Sequence, residues 1–125
     1  MELWQIAQRV EDLDRASAFY QMLLGEAPVG RFDPPGLVFF QLGPTRLLLD
    51  RAAPPALLYL RIPHLENAVE RLRASGVVID TEPHVIFHHE NETLGPAGND
   101  EWQAFIRDSE DNLVGLVSLT SHQSH

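Results

Sequence analysis

The sequence predicts an α+β fold made of two copies of one strand–helix–strands unit. Three observations predict it. The first is an internal repeat: "RVEDLDRASAFYQMLLG" (Arg9 to Gly25) lies over "RIPHLENAVERLRASG" (Arg61 to Gly76). Arg9 matches Arg61, Val10 matches Ile62, Leu13 matches Leu65, Ala16 matches Ala68, and Gly25 matches Gly76 with one residue of slack. The second is that both copies carry an apolar stripe at helical spacing. The third is that a short apolar stretch precedes each copy and several strand-like runs follow it.

In the first copy Leu13, Ala16, Phe19, Tyr20, Leu23 and Leu24 make the stripe, Asp12 is a good N-cap and Gly25 a good terminator. In the second, Leu65, Ala68, Val69 and Leu72 make it, Gly76 ends it, and His64 replaces Asp12 as a poorer cap. "GLVFFQL", a turn at Gly43–Thr45 and "RLLLD" follow the first helix; "VVID", "PHVIFHH", "WQAFIR" and "LVGLVS" follow the second. Ala52–Ala56 reads as the linker, with Pro54–Pro55 in it. One domain is expected, with a first module over 1–51, a second over 56–119, and a flexible tail over 120–125 that holds His122 and His125. Glu90 to Glu101 has Gly, Pro and Asn without a period, so it reads as a loop, a candidate lid.

Composition narrows function. The 125 residues carry a formal charge of −9, from 18 acidic against nine basic residues. Phosphate backbones and anionic lipid surfaces need clustered cations, so neither nucleic acid nor membrane is an expected partner. No cysteine is present, which removes disulfides, thiolate catalysis and zinc–thiolate sites. The N-terminal stretch acquires charge too early for a signal peptide and no apolar run approaches about 18 residues, so a cytoplasmic protein is expected.

The opening V-x-D-L-D-x-A-x-x-F-Y (Val10 to Tyr20) and the closing F-x-R-D-x-x-x-N (Phe105 to Asn112) together resemble the vicinal oxygen chelate superfamily, the glyoxalase, bleomycin-resistance and extradiol dioxygenase group. Nearly the whole chain is covered, and "EPHVIFH" with "WQAFIRD" resembles a bacterial glyoxalase-like branch. The resemblance implies two βαβββ modules in a cupped mixed sheet, often completed by a homodimer. It further implies up to four ligands to a divalent ion such as Zn, Ni, Fe or Mn, from the first and last strand of each module. Such an ion needs His, Gln or Glu at those positions.

Here the ligand positions are poorly filled. The opening strand offers Gln5, which can serve; its repeat partner is Leu57, which cannot. The closing strand of the first module offers only leucine from Leu47 to Leu49, and a register slip would be needed to bring in Asp50. The last position, three residues after the turn asparagine, is Gly115. No metal cofactor is therefore expected; the alternative is a degenerate site of Gln5 and His84.

Strict alternation in "PHVIFHH" places His84, Ile86 and His88 on one face, with the two histidines about 13 Å apart, too far to share an ion. His84 is the candidate acid–base catalyst, since imidazole titrates near neutrality. Arg9 and Arg61, repeat-equivalent, could clamp an anion. With Gln5, Tyr59, His88 and Trp102 they make the candidate ligand-binding set, the aromatics on strands expected to wall the cup. The expected function is metal-independent binding of a small, partly apolar molecule in a dimeric cup. The alternative is a glyoxalase-type lyase, isomerase, epimerase or dioxygenase.

Overall fold

The computed structural model describes residues 1–121 and divides into two compact units, one comprising Met1–Ala56 with the turn Asp108–Asn112, the other Leu57–Arg107 and the chain from Leu113 onward. His122 and His125 lie outside the described residues.

The first unit contains β1 (Gln5–Arg9), α1 (Leu13–Leu24), β2 (Gly30–Phe32), β3 (Leu37–Leu42) and β4 (Thr45–Asp50). Its sheet has the order β1-β4-β3-β2, with β1 parallel to β4 and the other pairs antiparallel. Helix α1 starts where the sequence places it: Asp12 accepts a hydrogen bond from the Arg15 amide. It ends at Gly25, whose φ of 74° is left-handed, as a glycine after a helix allows. One sheet face carries Val38, Phe40, Leu47 and Leu49, all essentially inaccessible, and α1 buries Leu13, Ala16 and Tyr20. Each such large apolar side chain stabilises the fold by roughly 1.5–3 kcal/mol relative to exposure.

The second unit repeats the plan with β5 (Leu58–Arg61), α2 (Leu65–Ala74), β6 (Ile79–His88), β7 (Asn99–Arg107) and β8 (Leu113–Ser121), in the sheet order β5-β8-β7-β6. The repeat read from the sequence is thus a repeat of topology, strand for strand. His64 sits at φ 53° and makes no side-chain cap. Leu58, Ala104, Ile106, Val114 and Leu116 make the buried sheet floor on the side of α2.

Three expectations need correction, and one strand goes unannounced in the sequence. Ile79–Asp80 of "VVID" and Pro83–His88 of "PHVIFHH" fall on one strand, β6, whose pairing with β7 shifts register at three places; Pro83 lies in an irregular stretch, where its missing N–H is tolerated. Strand β7 starts at Asn99, so the loop closes earlier than Glu101. Strand β8 runs through Ser121, two residues into the expected tail, because Asn99 and Asp100 pair with Ser121 and Thr120. Strand β2, three residues of "GRF", has no apolar alternation to announce it. No helix among the described residues is long and apolar enough to cross a membrane.

Candidate ligand-binding site

The family motifs build scaffold. In the turn after β7, Asp108 Oδ1 accepts from the amides of Glu110 and Asn112, each at 2.8 Å. Its Oδ2 accepts from Tyr20 Oη at 2.6 Å and from Asn112 Nδ2 at 3.0 Å, and that same amide nitrogen donates to the Arg9 carbonyl. Burial and the bond to Asp108 push the Tyr20 phenol well above its ordinary range, so it stays a neutral donor. Glu110, its side chain 1% exposed, accepts from the amides of Glu11 and Asp12 and from the Arg15 guanidinium. Burial works to raise its pKa, but the Arg15 hydrogen bond and the two amides outweigh that and hold it at about 2. Gln8, fully buried, exchanges two hydrogen bonds with the backbone of Ala56. These groups are spent on structure.

Chemistry must therefore come from elsewhere, and the face of the first sheet turned away from Leu47 and Leu49 offers a site. Register opposes Gln5 to Arg46, and Arg46 alternates with Leu48 and Asp50. Asp50 thus shares the Gln5 face without any register slip, but its carboxylate accepts from the Ala52 amide in the following turn. Arg46 donates from Nε and Nη2 to Gln5 Oε1, at 3.1 and 2.7 Å. Its guanidinium carbon lies 5.2 Å from the ring centres of both Trp4 and Phe39. Phe32 meets Phe39 edge to face at 5.8 Å. Val29, Gly30, Phe32, Phe39 and Arg46 line a cavity of about 340 Å³, within the range of small-ligand pockets. Arg46 does not stand out in the sequence because "RLLLD" reads as a leucine strand; the turn at Gly43–Thr45 and period-two alternation are the signal that sets Arg46 beside Gln5.

In the second unit Tyr59 and Phe105 flank Gly115 on neighbouring strands. A β-carbon at Gly115 would lie 2.7 Å from Cδ1 of Tyr59 and 3.1 Å from Cε1 of Phe105. An aromatic pair, 5.9 Å apart edge to face, thus covers the position where a metal-binding carboxylate was expected. Leu57 has no donor atom. Among the described residues no three His, Cys, Asp or Glu side chains gather as a metal site. At the expected positions the donor side chains among the described residues are Gln5, bonded to Arg46, and Asp50, bonded to the Ala52 amide.

The other predicted residues do not converge. His84 pairs across from Gln103 and His88 from Asp100, so the register shifts in β6 put the two histidines on opposite faces. The expected shared face of His84, Ile86 and His88 is corrected accordingly. His84 is exposed and donates from Nδ1 to the Glu82 carbonyl at 3.0 Å. His88 Nδ1 lies 2.7 Å from Asp100, on the side of α2. Trp102 lies there too, donating to Thr120 and lining a cavity of about 270 Å³ with His64, Asn67 and Ser118. Arg61 ends β5 and lines a cavity of about 660 Å³ with Ile62, His64 and Leu119. Arg9 ends β1, exposed, 4.0 Å from Glu11.

One histidine outside the predicted set is buried and partnered. His89 is 1% exposed; its Nε2 lies 3.0 Å from Glu101 Oε1, and the other carboxylate oxygen accepts from Gln103. Nε2 donates to the carboxylate, and Nδ1 is buried with no hydrogen-bond partner among the described residues. Gly95 packs so closely that a β-carbon there would lie 2.9 Å from the imidazole. The glycine in the predicted loop was the signal for this contact.

Comparison with known proteins places the fold. A model of the Glyoxalase/Bleomycin resistance protein/Dioxygenase superfamily matches residues 3–115. The antibiotic binding protein TnmS3 from Streptomyces sp. CB03234 superposes with a TM-score of 0.68 at 19% identity, covering 96% of this chain and 97% of that one. A lactoylglutathione lyase from Agrobacterium tumefaciens gives 0.62 at 21% identity, covering 94% and 92%. A glyoxalase I mutant from Zea mays gives 0.68 at 18%, covering 93% of this chain and 44% of that one. No curated protein matches the chain. With the doubled topology and a family match over most of its length, the chain belongs to the Glyoxalase/Bleomycin resistance protein/Dioxygenase superfamily.

Proposed function

We propose that this chain binds a small, partly apolar molecule without a metal ion, on the Gln5–Arg46 face of the first sheet. One observation carries the reading: the amide oxygen that would serve as the first metal donor is occupied by the guanidinium of Arg46. A fixed cation at that oxygen opposes a second one, since unit charges about 4 Å apart repel by about 4 kcal/mol at an effective dielectric near 20. The aromatic walls and the cavity volume suit an apolar ligand body. The fold shared with an antibiotic binding protein supports the same direction. We further infer a cytoplasmic homodimer; the exposed Val85, Ile86 and Phe87 on the edge strand β6 support self-association. The test is a thermal-shift and calorimetric screen of antibiotics and aromatic metabolites on chelator-treated protein, with its mass measured by sedimentation. Saturable binding without added metal is expected; a screen in which ligands bind only after metal is restored overturns the reading.

A second reading, a glyoxalase-type lyase or isomerase, is favoured by the His89–Glu101 pair. A histidine oriented by a carboxylate, with its second ring nitrogen unpartnered among the described residues, has the form of a general base. Turnover of lactoylglutathione or an acyl-CoA, abolished by His89→Gln, is its test.

A further inference from the structure

The chain's nine basic residues are all arginines. Arg9, Arg15, Arg31, Arg73 and Arg107 each lie within 4.0 Å of a carboxylate. Arg46, like Arg51, Arg61 and Arg71, has no such partner among the described residues, and of these four it is the one set over aromatic rings. Its acceptor is the neutral amide of Gln5, which takes the Nε proton and one Nη2 proton. The protons on Nη1 and the second on Nη2 have no partner there, and that edge is the pair of donors a carboxylate grips side by side. Trp4 and Phe39 both lie 5.2 Å from the guanidinium carbon, and the side chain is half-buried, so the cation is held in place and partly shielded from water. An arginine of this kind in a protein of net charge −9 is a local exception in a field that repels anions.

The rest of the pocket says what the anion is attached to. Phe32 and Phe39 present ring surface, Val29 adds an exposed apolar side chain, and Gly30 adds none. Among the described residues no acidic side chain is in the lining. At about 340 Å³ the cavity stands at the low end of the ligand-pocket range of about 300–1,000 Å³, which suits one or two rings and excludes a long chain. We propose that this pocket takes a flat, conjugated carboxylate, with the carboxylate on Arg46 and the ring against Phe32 and Phe39. The proposal rests on the binder reading above and names its ligand class.

The test is calorimetric titration of the full chain with 2-naphthoate and with its neutral counterpart 2-naphthalenemethanol. The carboxylate should bind at least about tenfold more tightly than the alcohol. Arg46→Gln should bring that ratio close to one, and Arg46→Lys should keep part of the preference. Gly30→Val, which puts a side chain into the cavity without touching the cation, should weaken both probes. Gly30 does not have a positive φ, so the backbone accepts the change, while the new β-carbon, 3.2 Å from the Phe32 ring, presses on that wall of the pocket. Equal affinity for the two probes, or a preference that survives Arg46→Gln, overturns the carboxylate assignment and leaves the binder reading standing. If neither probe binds at millimolar concentration while the wider screen finds ligands, the pocket assignment falls and binding lies elsewhere. If the wider screen finds none either, both readings fall.

Discussion

The ring of Tyr59 lies over the α-carbon of Gly115, so close that even a methyl group at Gly115 would stand 2.7 Å from it. The glycine is therefore a packing requirement of the aromatic pair as well as a missing ligand. Gly115→Ala should cost about 1–3 kcal/mol as overpacking. Tyr59 is 53% exposed and can be removed without opening the core. In a Tyr59→Ala background the same substitution should cost little, so a double-mutant cycle in urea should show favourable coupling. Additive effects of the two changes would mean that the ring moves aside freely.

Metal should leave this protein's stability unchanged. An ion bound to the native state at about 100 times its Kd stabilises by about 2.7 kcal/mol, a shift easily read in a melt. With Arg46 on Gln5 and the aromatic pair over Gly115, a panel of Zn, Ni, Mn, Fe and Co should produce no such shift. Gly115→Glu should produce none either, since one carboxylate restores one ligand only. A stoichiometric ion that survives chelator treatment, or a strong shift on titration, would contradict this.

What the sequence made legible follows from periodicity. The α1 stripe, the Asp12 cap, the Gly25 terminator and the doubled topology all rest on local patterns that tertiary packing had no reason to override. The site was less legible because it depends on register. Alternation gives the right faces along β4 once Gln5 is set against Arg46, yet fails along β6, where three register shifts send His84 and His88 to opposite sides. Bulges carry no compositional mark beyond Pro83, so a face assignment across them is unsafe. The motif residues Asp108 and Asn112 stood out in the sequence for the family they mark, and the structure gives them a turn to hold.

His84 and His89 should behave differently if the chain catalyses a reaction. His84 is exposed and bonded to its own strand, so His84→Ala should change activity less than about twofold. His89→Gln should lower kcat by about a hundredfold or more, in keeping with loss of a general base. Gly95→Ala should perturb the same step, because a β-carbon there would press on the imidazole. Measured kcat for the three variants on one substrate decides the matter. Loss of activity in His84→Ala alone would return the role to His84.

Acid should weaken the first unit through Glu110. Its pKa in the folded chain is about 2, below its ordinary 4.5, so the folded state binds fewer protons than the unfolded state in this window. The contribution is present in full above about pH 4.5 and drains away as pH falls toward 2. Glu110→Gln removes the charge-assisted bonds to Arg15 and to the amides of Glu11 and Asp12, and should cost about 1–3 kcal/mol at pH 7. In urea titrations from pH 7 to pH 3 the gap between wild type and variant should hold steady and then close below about pH 4.5. A gap that stays constant to pH 3 would mean that the carboxylate's charge does not contribute, and that the loss is one of shape.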